Sequence, residues 1–317
     1  MKTSNLEKLP KITVYQNLTC WVVTTILIMF QITQYRNFKT YYNEFIKVYW
    51  HEYFPQAPSY NRFVELMSQA ILPLSYFLTY HQGERTGIYY VDATKLPVCH
   101  NLREKNHKVF EGLAGKSKTS TGWFFGLKLH LVVNNLCELV SIRVTRGNTD
   151  DRTPLLDMCK ELQGMIFGDR GYVSKAKAEC LAEQGLKLIT TLKKNMKKLF
   201  RTPQEKQLLR HRGMIETLFD HLKNSLMLWH TRHRSPVNAC THLMAVALEY
   251  EVKSEVQRQL RNVIDLKGSG EKLSCLLFTW LMREVIRLRR SYRLLMASSV
   301  VVRRFLIYSK ITWRDLI

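Results

Sequence analysis

The stretch Arg210–Lys223, RHRGMIETLFDHLK, has the spacing of an amphipathic helix. Its apolar residues recur on one stripe, as expected for a face packed on a core: Met214, Ile215, Leu218, Phe219 and Leu222. A neighbouring polar stripe contains Arg212, Glu216, Asp220 and Lys223, because steps of four, four and three residues return to nearly the same side of a helix. Asp220 is given no role. Two interpretations follow. The stretch is an ordinary amphipathic helix with a solvated charged face, or it places a carboxylate between two cations beside metal ions and phosphate.

The charge balance indicates a polyanionic partner. The 317 residues contain 48 Lys and Arg against 26 Asp and Glu, a formal net charge of +22. The cationic residues are spread along the whole chain, which favours nucleic acid over the anionic surface of a membrane. The seven cysteines include no CxxC pair, which excludes a zinc knuckle and a CxxC redox motif. We expect reduced thiols in a cytoplasmic protein.

The sequence pattern of the N-terminal part predicts helices. The apolar run Leu18–Ile32 is about 15 residues long, shorter than the ~20 residues that a membrane span needs, so it predicts a buried helix and no membrane partner. No cleavable signal peptide is indicated. Asn61–Leu78 predicts a further helix, bent at Pro73.

From Gly87 onward the pattern changes to strands. GIYYVDATKLPV, residues 87–98, predicts a strand with Asp92 near its middle. The basic stretch that follows contains GKS but lacks the glycine of a phosphate-binding loop, since Phe110 stands at that position, and it predicts a solvated loop. Two further strand-like runs flank a turn at Asn134–Asn135 and predict a hairpin.

The remaining pattern alternates helices with strands. Thr149–Leu162 predicts a helix whose N-terminus is capped by Asp150 and Asp151. The other predicted elements are a strand that ends at Gly168–Asp169, a helix Lys175–Glu183, a strand Leu186–Leu192 and a basic connection Lys193–Arg201. Three successive strands followed by this alternation predict an α/β fold, a mixed sheet with helices on both faces.

This order brings three carboxylates toward one place. Asp92 lies on the first predicted strand and Asp169 ends the fourth, and these strands are expected to be neighbours at the centre of the sheet. Glu216 reaches the same edge from the helix. Alone, each aspartate has a simpler explanation, because Asp92 suits a turn cap and Asp169 an Asx-turn. Together, three carboxylates in a chain of net charge +22 favour a site for two Mg²⁺ ions that acts on phosphate esters.

Several ordered blocks resemble the DDE transposases of bacterial insertion sequences, and most closely the group numbered nine-eight-two. The blocks are YVDATKLPVCHNLRE (90–104), KTSTGWFFGLKLHLVVN (118–134), GNTDDRTPL (147–155), IFGDRGYVSK (166–175) and RGMIETLFDHLKN (212–224). Many insertion-sequence transposases share the signature Y-x₂-R-x₃-E-x₆-K, which Arg212, Glu216 and Lys223 match in spacing. Leu209 stands at the tyrosine position.

The resemblance implies a ribonuclease H-like fold and a DNA transposase. Asp92, Asp169 and Glu216 would be the catalytic residues that bind two Mg²⁺ ions, with Mn²⁺ as a substitute, and Arg212 and Lys223 would contact DNA. The enzyme would cut DNA at the terminal inverted repeats and join the 3′-hydroxyl to target DNA, as a homodimer that handles both ends. The alternative function is a degenerate, catalytically inactive DNA-binding relic.

The resemblance, together with the pattern of the chain beyond it, predicts three segments. Residues 1–85 form an N-terminal helical region that binds the element end, 86–250 the ribonuclease H-like catalytic domain, and 251–317 a mainly helical, basic and apolar tail. The family pattern stops after about Glu249, so the tail is atypical of the family.

Overall fold

The computed structural model describes residues 20–33, 35–119, 122–191, 200–229 and 233–261, together with Arg287. Side chains of the last helix are described as far as Lys253. The described residues form two compact units, one with residues up to His81 and from Val237 onward, the other from Gln82 to Pro236. Most of the connection 193–201 and of the tail lies outside the described residues. The roles predicted for the three segments stay predictions.

The first unit is helical. Its elements are α1 (Cys20–Ile32), α2 (Phe38–Thr40), which continues as a π-helix (Tyr41–Tyr49), α3 (Tyr60–Leu66), a 3₁₀ turn (Met67–Ala70), α4 (Ile71–Tyr80) and α9 (Pro236–Arg261).

The predicted buried helix Leu18–Ile32 corresponds to α1. Its side chains from Val23 to Gln31 are buried, and Thr24 and Thr25 donate their hydroxyl hydrogens to the carbonyls of Cys20 and Trp21, at 2.7 and 2.9 Å. Because these buried hydroxyls are hydrogen-bonded within the helix, α1 can be enclosed at little polar cost. Within the described ranges, no helix is long and apolar enough to cross a membrane.

The predicted bend at Pro73 lies a few residues earlier. The helix changes to a 3₁₀ turn at Met67–Ala70, and Pro73 lies in the first turn of α4. A proline in a first turn removes an N–H that has no partner inside the helix, so the break falls before it.

The second unit contains a six-stranded mixed sheet. Its strands are β1 (Ile88–Cys99), β2 (Gly115–Thr119), β3 (Gly122–Asn134), β4 (Leu139–Arg146), β5 (Gly164–Gly168) and β6 (Leu186–Thr190). Its helices are α5 (Leu155–Met158), α6 (Lys175–Glu183), α7 (Pro203–Arg210) and α8 (Gly213–Asp220). The strand order is β2-β3-β1-β5-β6, and β4 also pairs with β3. β1 is antiparallel to β3 and parallel to β5, as the predicted mixed sheet requires.

Helices cover both faces of the sheet. On one face, Tyr89 and Val91 of β1 belong to a buried cluster with Leu155 of α5 and Leu181 of α6. Each such side chain contributes about 1.5–3 kcal/mol when it leaves water. Side chains next to Val91 in the strand, such as that of Asp92, point to the opposite face of the sheet. On that face α8 packs against β1.

The predicted hairpin is present as β3 and β4. Asn134 closes its turn with four hydrogen bonds: its side-chain NH₂ donates to Glu84 O at 3.0 Å and Glu138 Oε2 at 2.7 Å, and its Oδ1 accepts from the N–H groups of Leu136 and Glu138 at 3.0 and 2.9 Å. Cys137 occupies the left-handed region with φ of 65°. A single buried amide therefore holds the turn together.

The prediction of a solvated loop over GKSKT was wrong, because Gly115–Thr119 forms the edge strand β2. Gly115 is buried while Lys116 and Lys118 are exposed, which is the two-residue alternation of a strand. Lysines are common on edge strands, where they discourage pairing with another chain. The predicted fourth strand is therefore β5.

The long helix predicted over Thr149–Leu162 was also wrong. Only α5, Leu155–Met158, is helical, and Pro154 precedes it. Asp150 Oδ1 accepts from the N–H of Arg152 at 2.9 Å, which folds the preceding residues into a turn. Asp150 and Asp151 therefore do not cap a helix.

The helix predicted over Arg210–Lys223 is shorter than expected. α8 spans Gly213–Asp220, a turn separates it from α7, and a π-turn follows at His221–Ser225. Four of the five predicted stripe residues are buried, namely Ile215, Leu218, Phe219 and Leu222, while Met214 is half-buried.

Candidate active site

The pairing of β1 with β5 places Asp92 and Asp169 at the same level of the sheet. Tyr90 is the register partner of Phe167; Asp92 lies two positions after Tyr90 on β1, and Asp169 lies two positions after Phe167, directly beyond the end of β5. Neighbouring strands are about 4.8 Å apart. The two predicted carboxylates are therefore neighbours at the centre of the sheet.

Asp92 is a largely buried carboxyl. Burial raises its pKa to about 6, and the nearby carboxylates of Asp169 and Glu216 act in the same direction. The N–H of Ala93, which donates to Asp92 Oδ1 at 2.8 Å, and the guanidinium of Arg212 oppose this rise. Since β1 continues to Cys99, Asp92 lies inside the strand, and the alternative of a turn cap at a strand end does not hold.

Asp169 follows β5 directly and begins a short 3₁₀ turn. Its side chain makes no hydrogen bond to the N–H groups of that turn, so the Asx-turn alternative does not hold either. Instead, Asp169 Oδ1 accepts from the hydroxyl of Thr191 at 3.1 Å. Thr191 comes directly after β6, so the hydroxyl orients the carboxylate from the neighbouring strand.

Arg212 connects Glu216 to Asp92. Its Nη2 lies 2.8 Å from Glu216 Oε1 on the next turn of the chain, and its Nη1 lies 3.5 Å from Asp92 Oδ2 on β1. The side chain of Glu216 is 59% exposed, whereas those of Arg212 and Asp92 are 19% and 21% exposed. One guanidinium therefore balances two of the three predicted carboxylates.

Lys223 is held on the same face of β1. Its ammonium donates to the hydroxyl of Thr94 and lies 4.8 Å from the centre of the Trp229 ring. Burial and the nearby Lys95 lower the pKa of Lys223, while Asp92 raises it. The two cations that the sequence assigned to DNA phosphates thus both lie near Asp92.

The carboxylates suit a hard divalent cation by their chemistry, since Mg²⁺ and Mn²⁺ prefer carboxylate oxygens. Asp92 and Glu216 both form ion pairs with the same cation, the guanidinium of Arg212. Among the described residues, however, no three His, Cys, Asp or Glu side chains form a group that could hold a metal ion. The joint coordination of a metal by Asp92, Asp169 and Glu216 therefore stays a prediction.

A polar cluster beside the site was missed by the sequence analysis. Lys128 Nζ donates to Asp151 Oδ1 at 2.9 Å and to the carbonyl of Thr149 at 2.8 Å. Burial lowers the pKa of His130, two positions along β3, to about 4, while Asp151 raises it. Lys128 and His130 occupy alternate positions of β3, so their side chains lie on the same face of the strand. This spacing was the signal that could have indicated the cluster.

The chain resembles known transposases. Residues 82–236 match the family described as transposase DDE domain. No curated protein matches the chain. Among solved structures, a piggyBac transposase in a synaptic complex with hairpin DNA has a TM-score of 0.53 at 12% identity, over 91% of this chain and 75% of that chain. At 12% sequence identity, this structural similarity is evidence for the fold alone.

The predicted ribonuclease H-like fold is confirmed, since the mixed sheet, the helices on its faces and the transposase neighbour agree. The predicted resemblance to DDE transposases is confirmed by the family match. Residues 82–236 of this chain are thus similar to the transposase DDE domain family.

Proposed function

We propose that the chain is a DNA transposase that cuts the ends of an insertion sequence and joins the freed 3′-hydroxyl to target DNA. The main observation that supports this proposal is that Asp92 and Asp169 lie side by side at the level of neighbouring strands. In addition, Arg212 pairs with both Asp92 and Glu216. The match of residues 82–236 to a transposase DDE domain supports this proposal, because the resemblance implies three acidic residues from separate elements at one centre.

Asp92, Asp169 and Glu216 would hold two divalent ions, Mg²⁺ or Mn²⁺, in this proposal. When bound, such ions activate an attacking oxygen and stabilise the leaving oxygen in an in-line displacement at phosphorus. Thr191 fixes the direction of the Asp169 carboxylate through its hydroxyl. The same three residues would serve cleavage and strand transfer, because both are displacements of the same kind.

Arg212 and Lys223 would contact the DNA backbone. A guanidinium binds phosphate oxygens in a bidentate manner, and a lysine binds them as a point charge. Because Arg212 pairs with both Asp92 and Glu216, its charge becomes available to phosphate when other cations bind those carboxylates.

We propose DNA as the partner for two reasons. The net charge of +22 favours binding to a polyanion. The structural neighbour is described in complex with hairpin DNA. The partners would be the terminal inverted repeats and the target DNA, in a bacterial cytoplasm. We expect a homodimer, since two ends must be joined in one event, and we assign end recognition to the N-terminal helical region, residues 1–85.

A second candidate is a DNA-binding relic without catalysis. The observation that favours it is the absence, over the described part of the chain, of three grouped metal-ligating side chains. Such a protein would bind DNA with a steep dependence on salt and would cut nothing at any concentration of Mg²⁺ or Mn²⁺.

The test incubates the purified full chain with a labelled inverted-repeat duplex and a supercoiled plasmid, with Mg²⁺ or with a chelator. A joined product that requires the divalent ion supports the transposase. Nicked DNA without joined product would indicate a nuclease, and retention of DNA without either product would indicate the relic. Either of these outcomes contradicts the proposal.

A further inference from the structure

An exposed tryptophan stands on the edge ribbon formed by β2 and β3. Trp123 is 56% exposed and lies directly opposite Lys118 in the antiparallel register. Lys116, two positions before Lys118, points to the same face, because side chains of a strand alternate. We call Lys116, Lys118 and Trp123 the ribbon patch.

The two lysines lie close to the indole ring. Their ammonium nitrogens are 6.0 and 5.9 Å from the ring centre of Trp123, at the range of a weak cation–π contact. Lys116 also pairs with Glu104 at 2.7 Å. In the part of the chain that the structure describes, Lys118 has no ion pair, so the patch carries a net positive charge beside an aromatic face.

The backbone holds the ring outward. Asn101 Nδ2 donates to the carbonyl of Trp123 at 2.7 Å. The next side chain on the same face, Phe125, is buried and packs edge-on against His107, with ring centres 6.3 Å apart. The strand is therefore held by contacts at Trp123 and at Phe125, while the indole of Trp123 stays exposed.

We propose that the ribbon patch binds unpaired nucleotides of DNA, with a base stacked on Trp123 and phosphates bound by Lys116 and Lys118. The inference rests on the proposed function only in taking DNA as the partner. An aromatic ring flanked by cations is the arrangement with which proteins bind single strands without reading their sequence. The net charge of +22 makes DNA the complementary partner for an exposed indole beside ammonium groups.

The patch is separate from the candidate active site. Leu131, the register partner of Asp92, lies on the same strand as Trp123. Trp123 and Leu131 are eight residue steps apart, which corresponds to roughly 27 Å of strand at about 3.4 Å per residue. The patch would therefore contact a part of the DNA that is separate from the bond that is cut.

The test measures the binding of the full chain to a single-stranded thymidine oligonucleotide by fluorescence anisotropy, without divalent ions. Trp123→Ala is expected to weaken binding roughly 5- to 150-fold, the effect of losing one stacked base. Trp123→Tyr keeps a ring and should retain most of the affinity. Leu136→Ala removes a side chain of the same 56% exposure from the β3–β4 turn and should change nothing.

The contribution of the patch lysines is tested by comparison with an exposed lysine outside the patch. Lys118→Ala should weaken binding and lower its salt dependence by nearly one counterion, whereas Lys175→Ala, on α6 with a side chain 91% exposed, should have a smaller effect. Equal binding by Trp123→Ala and wild type overturns the proposal. So does an equal loss of affinity for duplex and single strand, which would show a phosphate-binding surface without stacking.

Photo-cross-linking of the unmodified protein makes the test independent of how the variants fold. An oligonucleotide with 5-bromodeoxyuridine should form an adduct on the peptide that carries Trp123. Adducts confined to other peptides overturn the proposal. None of these measurements requires DNA cleavage, so failure of the catalytic proposal would leave this result standing, and the reverse also holds.

Discussion

Asp92 and Arg212 form an ion pair of 3.5 Å that joins the central strand β1 to the start of α8. The same guanidinium lies 2.8 Å from Glu216. Arg212 therefore balances carboxylates from two different elements, and its charge competes with any cation that these carboxylates would bind.

Arg212→Gln is expected to tighten the binding of Mn²⁺ to the full chain at least about fivefold. The reason is that a unit charge about 4 Å away contributes roughly 1 kcal/mol even at the dielectric constant of water. Electron paramagnetic resonance of free Mn²⁺ measures this affinity. Arg212→Lys, which keeps the charge, should lie nearer to wild type.

The control is Arg85→Gln, which removes an exposed arginine paired with Glu161 at 2.5 Å. Its Mn²⁺ affinity should equal that of wild type. If Arg212→Gln binds Mn²⁺ no more tightly than this control, Arg212 does not compete with the cation.

Asn134→Ala is expected to lower the free energy of unfolding by about 2–4 kcal/mol, because it leaves several groups that hydrogen-bond to this buried side chain unpaired. Asn135→Ala, at the exposed neighbouring position, should change it by less than about 0.5 kcal/mol. Chemical denaturation measures both. Equal effects of the two substitutions would show that the amide of Asn134 does not hold the hairpin.

Glu249 of α9 predicts a pH dependence of stability. Burial raises its pKa to about 7, and its Oε2 has no hydrogen-bond partner in the described structure. Because the folded pKa is above the unfolded value, the folded state binds more protons between about pH 4.5 and 7, and this group destabilises the fold as the pH rises through that window. The full effect, present above about pH 7, is on the order of 3 kcal/mol.

Glu249→Gln should therefore stabilise the chain at pH 8 and have little effect at pH 4.5. Thermal unfolding at the two pH values checks this. Glu65→Gln, an exposed glutamate paired with Arg62, should show no such difference between the pH values. A stabilisation by Glu249→Gln that is the same at both pH values would contradict the assignment.

The sequence predicted the elements whose patterns are strong. Strand β1, the hairpin, helix α6 and the adjacency of the strands that carry Asp92 and Asp169 all follow from periodicity and chain order. The edge strand β2 was missed because its exposed lysines and few apolar residues read as a loop. The helix at Thr149 was overpredicted because Pro154 and the side chain of Asp150 fold that segment into a turn.

The site was only partly predictable. The strand order fixes Asp92 beside Asp169, but the bridge from Arg212 to both Asp92 and Glu216 depends on the conformation of a long side chain. The hydroxyl that orients Asp169 comes from Thr191, which carries no motif. Contacts of this kind arise from tertiary structure, which residue spacing along the chain does not encode.

The most direct test of the central claim is the cleavage of inverted-repeat DNA by Asp92→Asn, Asp169→Asn and Glu216→Gln variants of the full chain. Each should lower the rate by roughly a thousandfold, since metal-assisted charge stabilisation supplies several kcal/mol, and each should bind DNA as wild type does. Asp157→Asn, an exposed aspartate paired with Arg143, serves as the control and should cleave normally. Wild-type cleavage by any of the three variants would contradict the account.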